Sequence, residues 1–550
     1  MTLRERAVVA VAAALPLAFL SVFFVWPVGS IVGRGLSVDG RLDLGGFGEV
    51  LGRSHTWELV GQTLGQSVFG TVLAVLLGVP GAHVLYRRRF RGRALVRVLV
   101  AVPFVMPTVV VGVAFRGLLV EGGPLGFAGL DQSVPAVVAA LVFFNYCVVV
   151  RTVGAMWAHL DPRPEQAARA LGASPWRAFR EVTLPQLAPA ISSAAALVFL
   201  FCATAFGTVL VLAPLGYGTL ETEIYRQTAD LFDLRHAAVL SVLQVLVVAG
   251  ALVLLALARR SRDVALRLQT DDTAERPLQR CDLPSVLVTG VVVAGLVLLP
   301  LVSLLSGALR VGDSWGLGNF SALSRTLGSA GLEVSAWQAT LNSLRIAVDA
   351  TVVAVVLGVL VSLLLSRRPR SRPLRRAHSV FDGLFMLPLG VSAVTVGFGF
   401  LVTLYRPPLD LGDSVLLVPI AQAVIALPLV IRTLLPVLRA IDSRTREAAA
   451  VLGASPRRVL TSVDLPVLGR SLGVAVGLAY AVSLGEFGAT TFLSRPEQAT
   501  LPVVVVRLIT RPGADNLGMA LAASVVLAGL VMAVMAVAER LRTDTWGADV

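Results

Sequence analysis

Two polar phrases and one buried acid hold most of the chemistry this chain could do. Residues 160–190 read LDPRPEQAARALGASPWRAFREVTLPQLAPA, and residues 441–471 read IDSRTREAAAVLGASPRRVLTSVDLPVLGRS. Gly172 and Gly453 lie 281 positions apart, as do Pro185 and Pro466, and Leu171 to Pro175 recur unchanged as Leu452 to Pro456. Asp161 and Asp442 can cap the free N–H groups that open a short helix. Gly172 and Gly453 can end it, because glycine accepts the left-handed turn. Ser174-Pro175 and Ser455-Pro456 then restart a helix with serine as cap and proline in first place. Small side chains at Ala167, Ala168, Ala448 and Ala449 let another backbone come close. Each phrase is expected to be a helix–turn–helix at a membrane surface, leading at Pro185 or Pro466 into a long apolar helix. A plain re-entry loop is the simpler account of one such phrase. Two matched copies point instead to a handle that a soluble partner could grip.

Glu486 stands in the apolar stretch AVSLGEFGATTF, and its repeat counterpart is Ala205. An ionisable group inside a span is costly and faces a cavity or a polar partner. It could meet a cation, or serve as a structural hydrogen-bond acceptor. Phe206-Gly207 and Phe487-Gly488 recur at the same spacing of 281, so both pairs are candidate gate or close-packing positions. Arg345 and Asp349 have helical ion-pair spacing. Asn145 is placed to bond between helices, and Gly78, Gly112, Gly358 and Gly397 to let helices pack closely. Arg151 and Arg432 are expected to snorkel toward phosphate headgroups. The chain has no lysine, so it cannot contain the phosphate-binding GxxxxGK[ST] loop. No nucleophile–base pair, metal-ligand cluster or dinucleotide fingerprint stands out. Three cysteines, Cys147, Cys202 and Cys281, form no disulfide or zinc pattern. The chain therefore reads as a non-enzyme with no catalytic residues, no metal and no cofactor of its own.

The elements that must position these residues are membrane helices. Hydrophobic residues make up 56% of the 550, and mean hydropathy is +0.81, which indicates an all-α polytopic membrane protein. Twelve spans are expected near 8–33, 57–85, 97–120, 134–157, 186–213, 236–258, 284–308, 337–366, 379–404, 414–438, 468–493 and 516–538. The apolar run after MTLRER is too long for a signal peptide and reads as a first anchor. A net charge of +13 could suggest nucleic acid, but the arginines cluster in short loops. Arg87, Arg88, Arg89, Arg91 and Arg93 follow span 2, and Arg367, Arg368, Arg370, Arg372, Arg375 and Arg376 follow span 8. With Arg4, Arg6, Arg259, Arg260, Arg262, Arg267, Arg540 and Arg542, they fall on one side of a twelve-span chain. Both termini are then expected to be cytoplasmic, with the basic loops against anionic lipid. Trp57 matches Trp337, and Arg151-Thr152 match Arg432-Thr433. Residues 1–270 and 271–550 thus read as two parallel six-span units with equivalent loops at about 160–185 and 441–466. The join falls near 259–283.

Both loops resemble the EAA loop of permease subunits of bacterial ABC importers. The second fits as Glu447-Ala448-Ala449 followed by Gly453. The first departs, with Gln166 at the glutamate position and Glu165 one residue early. The whole chain resembles the fused permeases for ferric iron and for thiamine. Residues 219–244, TLETEIYRQTADLFDLRHAAVLSVLQ, are most similar to the thiamine branch. The resemblance implies a multi-pass protein of the bacterial cytoplasmic membrane. It implies a separate ABC ATPase dimer that uses the ATP and seats both loops, and an extracytoplasmic substrate-binding protein. Thiamine or ferric iron would be the cargo. An ion-coupled secondary transporter, also built from two parallel repeats, is the competing class; it would not need two matched ATPase-facing loops.

Overall fold

The computed structural model describes residues 3–38, 41–43, 45–259, 276–312, 314–326, 333–366 and 372–543. The topology arginines at 260, 262, 267, 367, 368 and 370, and much of the join between repeats, lie outside them. Among the described residues, nine helices are long and apolar enough to cross a membrane, and three bent pairs bring the count to twelve. The straight spans are Ala12–Leu36, Ser54–Arg87, Val134–Ala158, Pro175–Ala203, Leu234–Val253, Arg280–Leu309, Ala336–Ser366, Leu417–Ala440 and Ala514–Ala538. In chain order these are spans 1, 2, 4, 5, 6, 7, 8, 10 and 12. Helices are the form in which a chain satisfies its own backbone in lipid.

Spans 3 and 9 are each broken into two arms. Arg93–Val105 meets Thr108–Leu119 at 107°, and Arg375–Gly390 meets Ala393–Thr403 at 97°. Proline sets the first bend. Pro107 forces Met106 out of the helical region, to φ −69° and ψ 138°. At the second, a tight turn over Leu387–Gly390 contains Pro388, and Val391 goes extended at φ −110° and ψ 136°. Ser392 then caps the new helix, its hydroxyl accepting from Thr395 N at 3.2 Å. Spans 5 and 11 also stop early, at Ala203 and Gly485, and short helices Gly207–Leu212 and Thr490–Leu493 follow. Two further helices, Leu220–Ala229 and Leu501–Ile509, lie outside the twelve expected segments.

Small residues set the closest packing. A Cβ on Gly78 would stand 2.6 Å from Val149, and one on Gly358 would stand 2.5 Å from Val430. These equivalent contacts press span 2 on span 4 and span 8 on span 10, as small residues do between lipid-embedded helices. A Cβ on Gly112 or Gly397 would likewise come within 2.9 Å of Val211 or 2.7 Å of Ala489. Arg345 and Asp349 form no ion pair among the described residues. Basic-before-acidic is the weaker order for such a pair on a helix.

The first span of each repeat packs in part on the other repeat. Leu20 and Phe24 share a core with Leu357, Phe400, Leu427 and Ile431. Val292 and Val293 of span 7 share one with Leu85, Val100, Tyr146 and Val150.

Candidate functional site

The two polar phrases adopt one backbone. Helices Arg163–Ala170 and Ser443–Val451 open at Asp161 and Asp442, whose Oδ1 atoms accept from Arg163 N at 2.9 Å and Arg444 N at 3.0 Å. Gly172 and Gly453 close them at φ +89° and +84°. The bonds Gly172 N to Arg169 O and Ala173 N to Ala168 O are repeated as Gly453 N to Ala450 O and Ala454 N to Ala449 O, all at 3.0 Å. This geometry satisfies carbonyls left over at a helix end. Ser174 Oγ and Ser455 Oγ cap the next turn by accepting from Arg177 N and Arg458 N. That turn runs through a five-residue π-helix, Phe179–Thr183 or Leu460–Asp464, straight into span 5 or 11. Pro185 and Pro466 lie in the first turns of those spans.

Packing sets both loops on one face. Asp282 at the start of span 7 is bonded to Arg88 at the end of span 2, through Arg88 Nη2 to Asp282 Oδ1 at 2.8 Å. Spans 7 and 8 each cross once, so span 8 ends on that same side. Span 10 packs beside it in the register that span 4 keeps with span 2. The ends of spans 4 and 10, and the loops that follow, therefore share a face. On that face Gln166, Ala167, Glu447 and Ala448 are exposed, and Ala168 and Ala449 are half-buried. Leu171 and Leu452 stand 90% and 87% exposed, with Trp176 and Val451 beside them. Such protruding apolar groups on an otherwise polar loop mark an interaction surface.

The loops are fastened differently. In the first, Thr183 Oγ1 donates to Glu165 Oε2 at 3.3 Å. Rings then run inward, with Trp176 to Phe179 at 5.6 Å, Phe179 stacked on Trp157 at 5.9 Å, and Trp157 against His83 at 5.1 Å. His83 Nε2 lies 3.0 Å from Asp282 Oδ1, which ties the ladder to span 7. Arg87 and Arg88 are buried here, Arg87 bonding Leu160 O, and so are not free for the lipid contact expected of the basic loop. In the second loop, Arg446 Nε donates to Asp464 Oδ1 at 2.7 Å, and Arg446 Nη2 to Leu438 O at 3.1 Å.

Far from these loops, the residues after spans 5 and 11 meet at a seam between the repeats. The rings of Phe206 and Phe487 stack at 5.3 Å and 12°. Tyr225 lies 5.4 Å from Phe206 and 5.6 Å from Phe492. Gly207 and Gly488 permit the approach of the bent spans. A Cβ on either would stand 2.9 Å from its neighbour, Thr108 or Val109 for Gly207 and Ala393 for Gly488. Glu486 is buried, and its carboxylate accepts from Ala489 N at 2.7 Å, Thr490 N at 3.0 Å and Thr490 Oγ1. It caps the short helix Thr490–Leu493, with donors that belong to its own loop. Asn145 Nδ2 reaches Cys202 Sγ at 3.5 Å, a bond between spans 4 and 5.

Sequence reasoning missed the helices that close this seam. Leu220–Ala229 is pinned to span 2 by Leu220 N to Thr63 Oγ1 at 3.0 Å and Gly218 N to Gln62 Oε1 at 3.0 Å. Leu501–Ile509 is pinned to span 8 by Leu501 N to Ser343 Oγ at 2.8 Å, with Asn342 Nδ2 to Ala499 O at 3.3 Å. The signal was present as paired polar residues, Gln62-Thr63 and Asn342-Ser343, inside otherwise apolar spans.

Residues 70–264 match the family model described as binding-protein-dependent transport system inner membrane component. The thiamine transport system permease protein ThiP of Escherichia coli (strain K12) is 30% identical over 480 residues, 83% of this chain and 84% of its own. Its namesake in Brucella abortus (strain 2308) is 27% identical over 96% of this chain and 95% of its own. The sulfate transport system permease protein CysT of Escherichia coli (strain K12) is 36% identical over 27% of this chain and 54% of its own. Among solved structures, a bacterial ABC transporter involved in import of the polysaccharide alginate covers 47% of this chain and 96% of its own. That likeness has a TM-score of 0.41 and 16% identity. With its apolar helices, its duplicated loops and relatives that align across nearly its whole length, this chain belongs to the inner-membrane permease family of binding-protein-dependent ABC importers, in the branch where two permease units are fused.

Proposed function

We propose that this permease carries thiamine across the cytoplasmic membrane, driven by a separate ABC ATPase dimer and fed by an extracytoplasmic binding protein. The observation that carries the coupling is the pair of loops with one backbone on one face, each presenting an exposed leucine. Each loop, at 160–185 and 441–466, seats in one ATPase subunit. Gln166, Ala167 and Ala168 in one, and Glu447, Ala448 and Ala449 in the other, form the contacting helix. Gly172 and Gly453 hold its end, and Pro185 and Pro466 open the span that transmits the motion. ATP is bound and spent by the partner, and this chain needs no cofactor. Both termini and both loops face the cytoplasm in this reading.

Closure of the ATPase dimer would rock residues 1–270 against 271–550, apart from the exchanged first spans. The Phe206–Phe487 stack, hinged at Gly207 and Gly488, then opens as the gate of an alternating-access path. Glu486 shapes the loop beside that gate. Thiamine is favoured by two relatives named for thiamine transport that align across most of the chain. Aromatic rings at the seam also suit a flat cation. The test is reconstitution of permease, ATPase and binding protein in liposomes, with labelled thiamine and ferric iron offered in parallel. ATP-dependent thiamine uptake is expected. Iron uptake without thiamine uptake overturns the cargo, and uptake without the ATPase overturns the coupling.

A further inference from the structure

Glu221 is a second buried acid at the seam, besides Glu486. It is fully buried in Leu220–Ala229, and among the described residues it forms no ion pair. Its contacts are two side chains, Ser392 Oγ donating to Oε2 at 2.7 Å and Gln244 Nε2 donating to Oε1. Ser392 opens the second arm of span 9, so this contact crosses between the repeats. Gln244 lies ten residues into span 6, which begins at Leu234. Ten residues of helix rise about 15 Å, half of a hydrocarbon core about 30 Å thick. Glu221 is therefore held against the body of span 6 and not beyond its end, and an ionisable group within a span is costly and serves a passing solute or a relay.

Three further observations point to a ligand. Tyr225 is one turn on from Glu221 and presents the same helix face to Phe206 and Phe492. Gln244 Oε1 and Thr395 Oγ1, beside the two donors, are buried without a hydrogen-bond partner among the described residues. Such orphaned acceptors are uncommon in a finished core. The equivalent helix of the second repeat, Leu501–Ile509, has Pro502 in place of Glu221 and is otherwise almost wholly apolar. The duplicated helix thus carries an acid at this position in one copy only, and nothing in the repeat geometry requires it.

Glu221 differs from Glu486 in how it can be released. The donors to Glu486 include backbone groups of its own loop and move with it. Those to Glu221 belong to span 6 and span 9, and parting of the repeats withdraws at least Ser392.

We propose that Glu221 is the cargo-recognising carboxylate of the pore. As the seam opens it pairs with an organic cation whose flat ring lies among Phe206, Tyr225, Phe487 and Phe492. Gln244 Oε1 and Thr395 Oγ1 accept from the cargo's N–H or O–H groups. This rests on the thiamine reading and adds the residue that would select a cationic ring.

The test uses the reconstituted transporter with its ATPase and binding protein. Glu221→Gln keeps the shape and removes the charge, and it is expected to lower thiamine uptake by about thirtyfold or more. Stimulation of ATP hydrolysis by loaded binding protein should persist. Glu221→Asp keeps the charge and should hold uptake within about tenfold of wild type. Ser392→Ala removes the contact across the seam and the cap on Thr395 N but leaves the charge, and should cost no more than a few-fold. Wild-type uptake by Glu221→Gln overturns the inference. So does an equal loss in Glu221→Gln and Ser392→Ala, which would make Glu221 a structural tether, or a Glu221→Asp no better than Glu221→Gln. Absence of thiamine uptake by the wild type overturns the cargo reading and this one with it.

Discussion

The loops at 160–185 and 441–466 share a backbone but not the bonds that hold it. Glu165 and Arg446 occupy equivalent positions, and so do Thr183 and Asp464, each pair 281 apart. In the first loop the acceptor is on the short helix and the donor on the π-turn. In the second the polarity is reversed and both groups are charged. Trp157, Trp176 and Phe179 have Leu438, Arg457 and Leu460 as counterparts, so the ring ladder is confined to the first repeat. A loop geometry set by local caps tolerates exchange of its fastenings, provided one donor and one acceptor remain across the same gap. The seam gives the same lesson. Both closing helices are pinned alike to spans 2 and 8, yet one brings Glu221 and the other Pro502. Geometry is duplicated, and chemistry is specialised in one copy.

Arg446→Ala strikes this contrast hardest. Asp464 is 3% exposed, and losing its partner leaves a buried carboxylate at a cost of about 3–5 kcal/mol. A thermal-unfolding scan in detergent should show a large drop, and a change no greater than that of Thr183→Val would remove the difference between the loops. Replacing Gly172 or Gly453 by alanine tests what they share. Each forces a Cβ into the left-handed region, at about 1–2 kcal/mol. Equal loss of ATP-coupled uptake from both variants is expected, and a loss confined to one would mean that a single loop transmits motion. Thr183→Val is the mildest change. It removes one 3.3 Å bond to a half-buried carboxylate and should cost about 1 kcal/mol in the same scan.

The loops were legible in the sequence because their determinants are local. Asp, Gly and Ser-Pro act within four residues, and all three act in the structure as their types dictate. The bends in spans 3 and 9 were not, because apolar residues continue past Pro107 and Pro388 and hydropathy does not register a turn. The capping role of Glu486 could have been read from the residues just after it, since its donors lie three and four positions on. Glu221 was hidden for the opposite reason. It stands in a polar segment between two spans, which reads as an outer loop until the contacts with Thr63 and Gln244 bring it inward.

The exchange of first spans has a consequence for synthesis. A chain made from its amino end produces span 1 long before residues 357–431, the surface that covers Leu20 and Phe24. The groove beside Leu85 and Tyr146 likewise stays vacant until Val292 and Val293 arrive. Neither repeat can finish as an independent unit, although early parts of a chain commonly settle first. The nascent protein must hold two unfilled seats in the bilayer; one fills at mid-chain with span 7, the other only once span 10 has been inserted.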